Sequence, residues 1–344
     1  MFKRSEFIAR LTVGVILIGL PALILGYQFI VRPQLSGIRT IDISASSPEN
    51  GGFQPNSFSV TAGETVMLRF TSIDVTHGVA IGPGLGVDLG QIDPGHIKEV
   101  TLTFDEAGTY TFYCNTWCSV NHWRMRGVID VRDRVNPNVI PTALPDPVIA
   151  ALVAEGVDID ASVHNRSSAM SSMPMDDAPV LVERPSAERG ATIAAALTIP
   201  TEFQDDAWRQ SHTPQQAIAL LLTQNPNTPQ TDLADAVAYL WTRSAASESL
   251  ARAAPYYAQN CAACHGETGG GDGFMAAQTA ETPVAFADPN YLFTMRGDVL
   301  YAKIRRGGMG TDMPNFGTLL TPDETWALVD YLWSLSVEPN NSNR

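Results

Sequence analysis

Between residues 38 and 133 the chain alternates apolar and polar positions with a period of two, the pattern of β-strands that bury one face. Turn-forming pairs such as Pro83-Gly84 and Pro94-Gly95 separate the alternating segments. Several short strands spaced in this way predict a small antiparallel β-sandwich. The predicted strands are Ser57–Thr61, Thr65–Thr71, Glu99–Phe104, Gly108–Cys114 and Met125–Val131.

The N-terminal segment, residues 1–35, contains a long apolar stretch. Three basic residues precede an apolar run from Leu11 to Val31, and Arg32 and Pro33 follow it. About 20 apolar residues match the thickness of a bilayer core, whereas a cleaved signal peptide has a shorter apolar core and a small-residue cleavage site. We therefore predict a single-pass transmembrane helix in the cell membrane. The basic residues place its N-terminus in the cytoplasm and the later domains on the periplasmic, extracytoplasmic side.

The segment 134–247 is rich in proline at first and helical later. Its residues 167–177 form a low-complexity patch of Ser, Met, Pro and Asp, a composition typical of flexible chain. Helical patterns follow at Pro214–Thr223 and Asp232–Thr242. The second helical pattern is similar to 324–333 near the C-terminus. The segment is therefore either a linker with two amphipathic helices or a diverged copy of the last domain.

The last segment, 248–338, has the pattern of a helical domain. Its final amphipathic helix is predicted over Pro322–Leu335, with Thr321 as the N-cap and Glu324 three positions later, as in a capping box. The whole chain of 344 residues is long enough for several domains. The predicted fold class is multi-domain, with an N-terminal transmembrane helix, an all-β sandwich and an all-α domain.

The first two cysteines lie in Cys114-Asn-Thr-Trp-Cys118-Ser-Val-Asn-His122-Trp-Arg-Met125, and His77 lies on an earlier loop. Thiolate, imidazole and thioether ligands together select copper. One cysteine, two histidines and a methionine would make a mononuclear blue-copper site. The second thiolate allows two bridging sulfurs and therefore a binuclear copper centre. A disulfide between the two cysteines and a zinc site are the alternatives.

The other two cysteines lie in Cys261-Ala-Ala-Cys264-His265, the pattern of covalent c-type haem attachment. In this pattern the two thiols form thioethers with the haem, and His265 is the proximal ligand of the iron. The sixth ligand is expected to be a methionine late in the domain. Met313 is the first candidate, because it lies in a Met-Pro-x-Phe pattern before the final helix, and Met309 is the second.

Both motifs resemble those of known families. The Cys-x3-Cys-x3-His-x2-Met pattern with an upstream histidine, within Phe58–Val131, resembles the binuclear copper (CuA) domain of cytochrome c oxidase subunit II, which has a cupredoxin fold. Leu250–Leu335 resembles a class I cytochrome c. The implied domains are a membrane anchor (1–35), a cupredoxin-like CuA domain (38–133), a linker or degenerate cytochrome-like segment (134–247) and a cytochrome c domain (248–338).

The resemblance to subunit II implies the roles of individual residues. Two cysteines bridge the copper ions, a histidine and a methionine complete one ion, and a second histidine and a backbone carbonyl complete the other. Many subunits II have Glu where this chain has Thr116, and that side chain also serves a nearby magnesium ion. A magnesium site is therefore not implied here. The implied copper ligands are His77, Cys114, the carbonyl of Thr116, Cys118, His122 and Met125.

The combined resemblance implies the electron-entry subunit of a haem–copper terminal oxidase. Electrons would pass from an external cytochrome c or copper protein to haem c, then to the binuclear copper, and then to the catalytic subunit I in the membrane. One helix without a cluster of intramembrane histidines cannot hold an oxygen-reducing site, so this chain carries electron transfer only and has no catalytic residues of its own. A subunit of a copper-containing nitric oxide reductase and a free-standing membrane-anchored electron carrier are the alternatives.

The formal net charge of -14 bears on which partners the chain can bind. Nucleic-acid binding requires clustered Lys and Arg residues, so nucleic acid is excluded as a partner. The acidity suits electrostatic docking of a basic electron carrier. It equally serves the solubility of a domain outside the membrane.

Overall fold

The computed structural model describes residues 2–31, 37–82, 87–116, 118–119, 122–138, 146–159, 181, 183–243, 247–308 and 311–338. Two features predicted from the sequence, the low-complexity patch at 167–177 and Met309, lie outside these residues. The chain divides into two compact units. The first comprises Met1–His77, Gln91–Thr109 and Gly127–Thr142, and the second comprises Gly78–Gly90, Tyr110–Arg126 and Ala143–Arg344.

The N-terminal segment consists of four consecutive helical pieces. They are α1 (Phe2–Gly14), a π-helical turn (Val15–Gly19), α2 (Leu20–Gly26) and a second π-helical turn (Tyr27–Val31). Both α-helices end at a glycine, which has a low helix propensity. In the described part of the chain no helix is both long enough and apolar enough to cross a membrane. The single transmembrane helix predicted over 1–35 is therefore not observed.

The region from 39 to 132 forms the predicted β-sandwich, from two sheets. Their strands lie in the orders β2-β1-β4-β7 and β3-β9-β8-β5-β6. The strands are β1 (Arg39–Ala45), β2 (Phe53–Gln54), β3 (Ser57–Thr61), β4 (Glu64–Ser72), β5 (His77–Gly82), β6 (Val87–Ile92), β7 (Ile97–Phe104), β8 (Gly108–Tyr113) and β9 (Arg126–Arg132).

The alternating pattern of the sequence explains which side chains of these strands are buried, but it does not explain how the strands pair. Val66, Leu68 and Phe70 occupy alternate positions of β4 and are completely buried, because successive side chains of a strand point to opposite faces. β1 is parallel to β4, and β3 is parallel to β9, whereas β4–β7 and β5–β8 are antiparallel. The prediction of a purely antiparallel sandwich is therefore wrong. Alternation specifies which face of a strand is buried, not the direction of its neighbour.

Helices make up most of the described residues after residue 146. Thr213–Gln216 and Thr321–Glu324 both form the reciprocal hydrogen bonds of a capping box, so the predicted start of the last helix is confirmed. The helices are α3 (Pro147–Ala154), α4 (Ala187–Ala194), α5 (Asp206–Ser211), α6 (Pro214–Gln224), α7 (Gln230–Thr242), α8 (Ser247–Asn260), α9 (Ala262–His265), α10 (Pro289–Leu292), α11 (Gly297–Arg306) and α12 (Pro322–Ser336).

The described helices of the 134–247 segment pack into the same core as the helices that follow. Buried apolar side chains from Leu152 to Val337 form one continuous cluster. Asp146, the N-cap of α3, accepts a hydrogen bond from Tyr301 (2.8 Å) and pairs with Arg305 (2.6 Å). These contacts hold α3 against α11. The domain boundaries predicted from the sequence stay predictions.

Candidate copper and haem sites

The loop 114–125, called the copper loop below, connects β8 to β9. The N–H group of Cys114 donates to the carbonyl of Met125 at 3.0 Å, which closes the base of the loop. A 3-10 turn at His122–Arg124 brings the two ends together, since the Met125 N–H donates to the His122 carbonyl at 2.9 Å. Residues that are distant along the loop are therefore close in space.

The predicted ligands within this loop form a cluster. The Sγ atoms of Cys114 and Cys118 are 3.9 Å apart, and Cys114 Sγ lies 3.1 Å from the carbonyl oxygen of Thr116. Cys118 Sγ lies 4.0 Å from Nδ1 of His122 and 3.9 Å from Sδ of Met125. The two cysteines form no disulfide with each other, which would require about 2.05 Å between the sulfurs. The soft sulfur and nitrogen donors fit a copper site, and the disulfide alternative is not observed.

His77, the first residue of β5, lies beside the two thiols. One ligand atom of His77 and the Sγ atoms of Cys114 and Cys118 all lie within 4.8 Å of one another. His77 is completely buried, and its Nε2 atom is 2.8 Å from Oδ1 of Asp74. This contact orients the ring and leaves the buried Nδ1 atom as the donor for a metal. Asp74 was not predicted from the sequence as a functional residue, although its position three residues before His77 was a usable signal.

Asp74 is held in its charged form by its surroundings. Burial raises the pKa of its carboxyl, but hydrogen bonds from the N–H of Ser47, from His77 and from the N–H of Val75 outweigh burial. The pKa of Asp74 therefore lies well below its usual range. An ionised carboxylate on the outer nitrogen of a metal-binding histidine makes that histidine a better ligand.

The haem-attachment motif begins where α8 ends. The N–H groups of Cys264 and His265 donate to the carbonyl of Cys261 at 3.1 and 2.9 Å, which builds the single turn of α9. Gly266 follows at φ +82°, a left-handed conformation that favours glycine. The Tyr257 hydroxyl donates to the Gly266 carbonyl at 2.7 Å and holds the turn against α8. Both thiols and the imidazole are thereby fixed close together.

A backbone carbonyl supplies the hydrogen bond that orients His265. Its Nδ1–H donates to the carbonyl of Val284 at 3.0 Å, and its ring stacks on Phe286 at 4.5 Å. Burial lowers the pKa of His265 more than the Val284 hydrogen bond raises it. The neutral ring therefore presents Nε2 as the atom for the iron. Val284 contacts His265 through its backbone carbonyl, a group that every residue has. The residue type at position 284 therefore could not reveal this contact in the sequence.

Both cysteines, His265 and Met313 line one cavity, whose remaining walls are largely apolar. An apolar crevice with a histidine and a methionine suits a haem with two axial ligands. Burial raises the pKa of the Cys261 thiol to about 12, and the neighbouring Cys264 adds to this rise. The apolar wall includes Phe286, Leu300, Ile304, Phe316 and Leu332.

One predicted copper ligand, His122, and the residue before another, Tyr113, also line the cavities at the haem motif. His122 lines the same cavity as the haem motif, and Tyr113 lines an adjoining cavity together with His265 and Met313. All of these residues belong to the second compact unit. The copper and haem motifs were predicted to lie in separate domains, and their proximity was not predicted from the sequence.

Comparison with family models finds two known domains in the chain. Residues 55–132 match the family described as "Cytochrome C oxidase subunit II, periplasmic domain", and residues 250–336 match the family described as "Cytochrome c". Both resemblances inferred from the motifs are thus confirmed.

Individual relatives cover part of the chain. Two proteins named "Cytochrome c oxidase subunit 2" from Thermus thermophilus are each 35% identical over 83 residues, or 24% of this chain. The matched residues are 59% and 48% of the length of these relatives, so the chain spans about half of each. A heme-copper terminal oxidase dimer solved by cryo-EM has 20% identity, a TM-score of 0.25 and coverage of 37% of this chain and 99% of its own.

Proposed function

We propose that this chain, which carries a domain of the cytochrome c oxidase subunit II family and a cytochrome c domain, is the electron-entry subunit of a haem–copper oxidase. The observation that carries the proposal is the donor cluster of the copper loop. Two thiols 3.9 Å apart have an imidazole and a thioether within about 4 Å. This is a set of ligands for holding copper and not for converting a substrate.

The second thiol favours a binuclear centre over a mononuclear one. Cys118, His122, Met125 and His77 would already complete a mononuclear blue-copper site. Cys114 adds a buried sulfur beside the Thr116 carbonyl. We therefore assign the two cysteines as bridging ligands, His77 and Met125 to one copper, and His122 and the Thr116 carbonyl to the other.

In the cytochrome c domain we assign Cys261 and Cys264 to the thioether bonds, His265 to the proximal position and Met313 to the distal one. Once bound, the haem iron and the copper ions supply reversible one-electron chemistry. The protein holds the ligands in place and keeps water away. The Val284 carbonyl fixes the orientation of His265, and Asp74 does the same for His77.

The partners follow from this assignment. The acceptor is the catalytic subunit I, in the membrane, and the donor is a cytochrome c or a copper protein. The N-terminal segment exposes large apolar side chains, with Leu17, Ile18 and Leu23 each about two-thirds or more exposed. A contiguous apolar surface of this kind marks an interaction site. We propose that lipid or the membrane subunit covers it, with the two redox domains on the extracytoplasmic side.

Purification of the full chain from its native membrane tests this function. We expect a multi-helix protein with additional, non-covalently bound haem to co-purify, and the complex to consume oxygen when a reduced donor is supplied. Recovery of haem c as the only haem would contradict the subunit assignment and favour a free-standing carrier. Reduction of nitric oxide in place of oxygen would instead support a nitric oxide reductase.

A further inference from the structure

The copper loop and the segment that carries Met313 are joined by two polar contacts. Arg124 Nη2 lies 3.3 Å from Oδ1 of Asp312, and Arg126 Nη1 donates to the carbonyl of Asn315 at 2.5 Å. Residues 311–317 are called the axial loop below. Both arginines and the axial loop belong to the second compact unit, so the contacts lie within one body.

The contacts are placed symmetrically about the two predicted methionine ligands. Arg124 and Arg126 flank Met125, the predicted copper ligand, along the chain. Asp312 precedes Met313, the predicted haem ligand, and Asn315 follows two positions after it. Each methionine is therefore held between two points of attachment to the other loop. A shift of either loop would have to break at least one of them.

Further contacts make the attachment rigid. Asp312 Oδ2 accepts from the N–H of Ala280 at 2.8 Å, so this carboxylate is fixed on its own side. The guanidinium of Arg126 lies over the Phe316 ring, 5.3 Å from its centroid, in a cation–π contact.

The backbones also approach closely beside these contacts. A Cβ atom on Gly82, at the end of β5, would lie 2.5 Å from the carbonyl oxygen of Leu319. Tyr113, which immediately precedes Cys114, lines a cavity together with Met313 and Phe316. Strands β5 and β8 therefore approach the segment after Met313 closely, beside a cavity that Gly82, Tyr113 and Leu319 line.

We propose that Arg124 and Arg126 are positioning residues that lock the copper loop onto the axial loop and so set the separation between haem and copper for direct electron transfer within the chain. The inference rests on the proposed function, since it assigns a role to residues between the two redox sites. The Arg124–Asp312 pair is exposed, and exposed ion pairs contribute little alone. The Arg126 contact, shorter and made by a half-buried side chain to a backbone carbonyl, is the stronger anchor.

The test uses the full chain with haem and copper bound. The haem is reduced rapidly, and the arrival of the electron at copper is followed by the loss of the near-infrared copper band. The variants are Arg124→Gln, Arg126→Gln and the double substitution. The matched control is Arg243→Gln, which removes an arginine whose hydrogen bond to Gln204 is also exposed and lies outside both loops.

We expect the double variant to transfer electrons about tenfold more slowly, because the copper loop and the axial loop lose both contacts that hold them together. Arg126→Gln should account for most of the loss. The haem and copper absorption bands should not change, because no ligand is altered. The rate of Arg124→Gln should also depend less on salt than that of the unmodified protein, since its exposed ion pair is gone. The control should transfer at the normal rate.

Hydrogen exchange of the axial loop supplies a second readout that does not depend on electron transfer. We expect faster exchange at the amides of residues 311–317 in both Arg124→Gln and Arg126→Gln, and no change in the control. Unchanged transfer rates and unchanged exchange would overturn the locking role. Absence of transfer in the unmodified protein would instead contradict the proposed relay, and the exchange data would still decide whether the two arginines join the loops.

Discussion

At the scale of single residues, the ligands and their supports differ in how visible they are in the sequence. Cys114, Cys118, His122 and Met125 lie within twelve positions of one another, so one loop suffices to gather them and the motif alone predicts the cluster. His77 reaches the same place only through the pairing of β5 with β8. The hydrogen bond between His77 and Asp74 depends on the geometry of the loop before β5. The alternation of apolar and polar residues gives no information about that geometry.

The contact between Asp74 and His77 gives a prediction at this scale. Asp74→Asn preserves the shape of the side chain and removes its charge, so His77 becomes a weaker ligand. We expect the affinity for copper to fall by about 10- to 100-fold, measured by competition with a copper chelator. Asp88→Asn is the matched control, because the Asp88 carboxylate caps the exposed N–H of Gly90 and supports no predicted ligand. Equal affinities in the two variants would contradict a role for Asp74 at the copper site.

At the scale of helices and strands, the sequence predicts the elements better than their partners. The patterns at 214–223, 232–242 and 322–335 correspond to the helices Pro214–Gln224, Gln230–Thr242 and Pro322–Ser336. Apolar periodicity and capping residues are local properties, which explains this success. The parallel pairing of β1 with β4 and the packing of α4 across α7 depend on distant residues and were not predicted.

The crossing of α4 and α7 gives a prediction at this scale. A Cβ atom on Gly190 would lie 1.8 Å from the carbonyl oxygen of Asp235 in α7, so Gly190→Ala must force the helices apart. We expect the free energy of unfolding to fall by about 1–3 kcal/mol, the usual cost of overpacking, measured by denaturant titration. Thr192→Ala, at an exposed position of the same helix, should change it by less than about 0.5 kcal/mol. An unchanged free energy of unfolding in Gly190→Ala would show that α4 and α7 are loosely packed where they cross.

At the scale of the whole molecule, the chain combines two domains that each resemble a separate family. Their contact through the copper loop and the axial loop could not be predicted, because the arginines and their partners are nearly 190 positions apart in the sequence. The middle segment likewise contributes to the helical core and carries no ligand predicted here. In the proposed relay, a haem and a copper centre held in one chain would exchange electrons without a diffusional encounter.

We assign Cys114 and Cys118 as ligands that bridge two copper ions. Electron paramagnetic resonance of the full chain with copper and haem bound tests this assignment. We predict the hyperfine pattern of one electron shared by two equivalent copper nuclei, and its loss in Cys114→Ser while the haem spectrum is retained. A pattern from a single copper nucleus in the unmodified chain, unchanged in Cys114→Ser, would contradict the account.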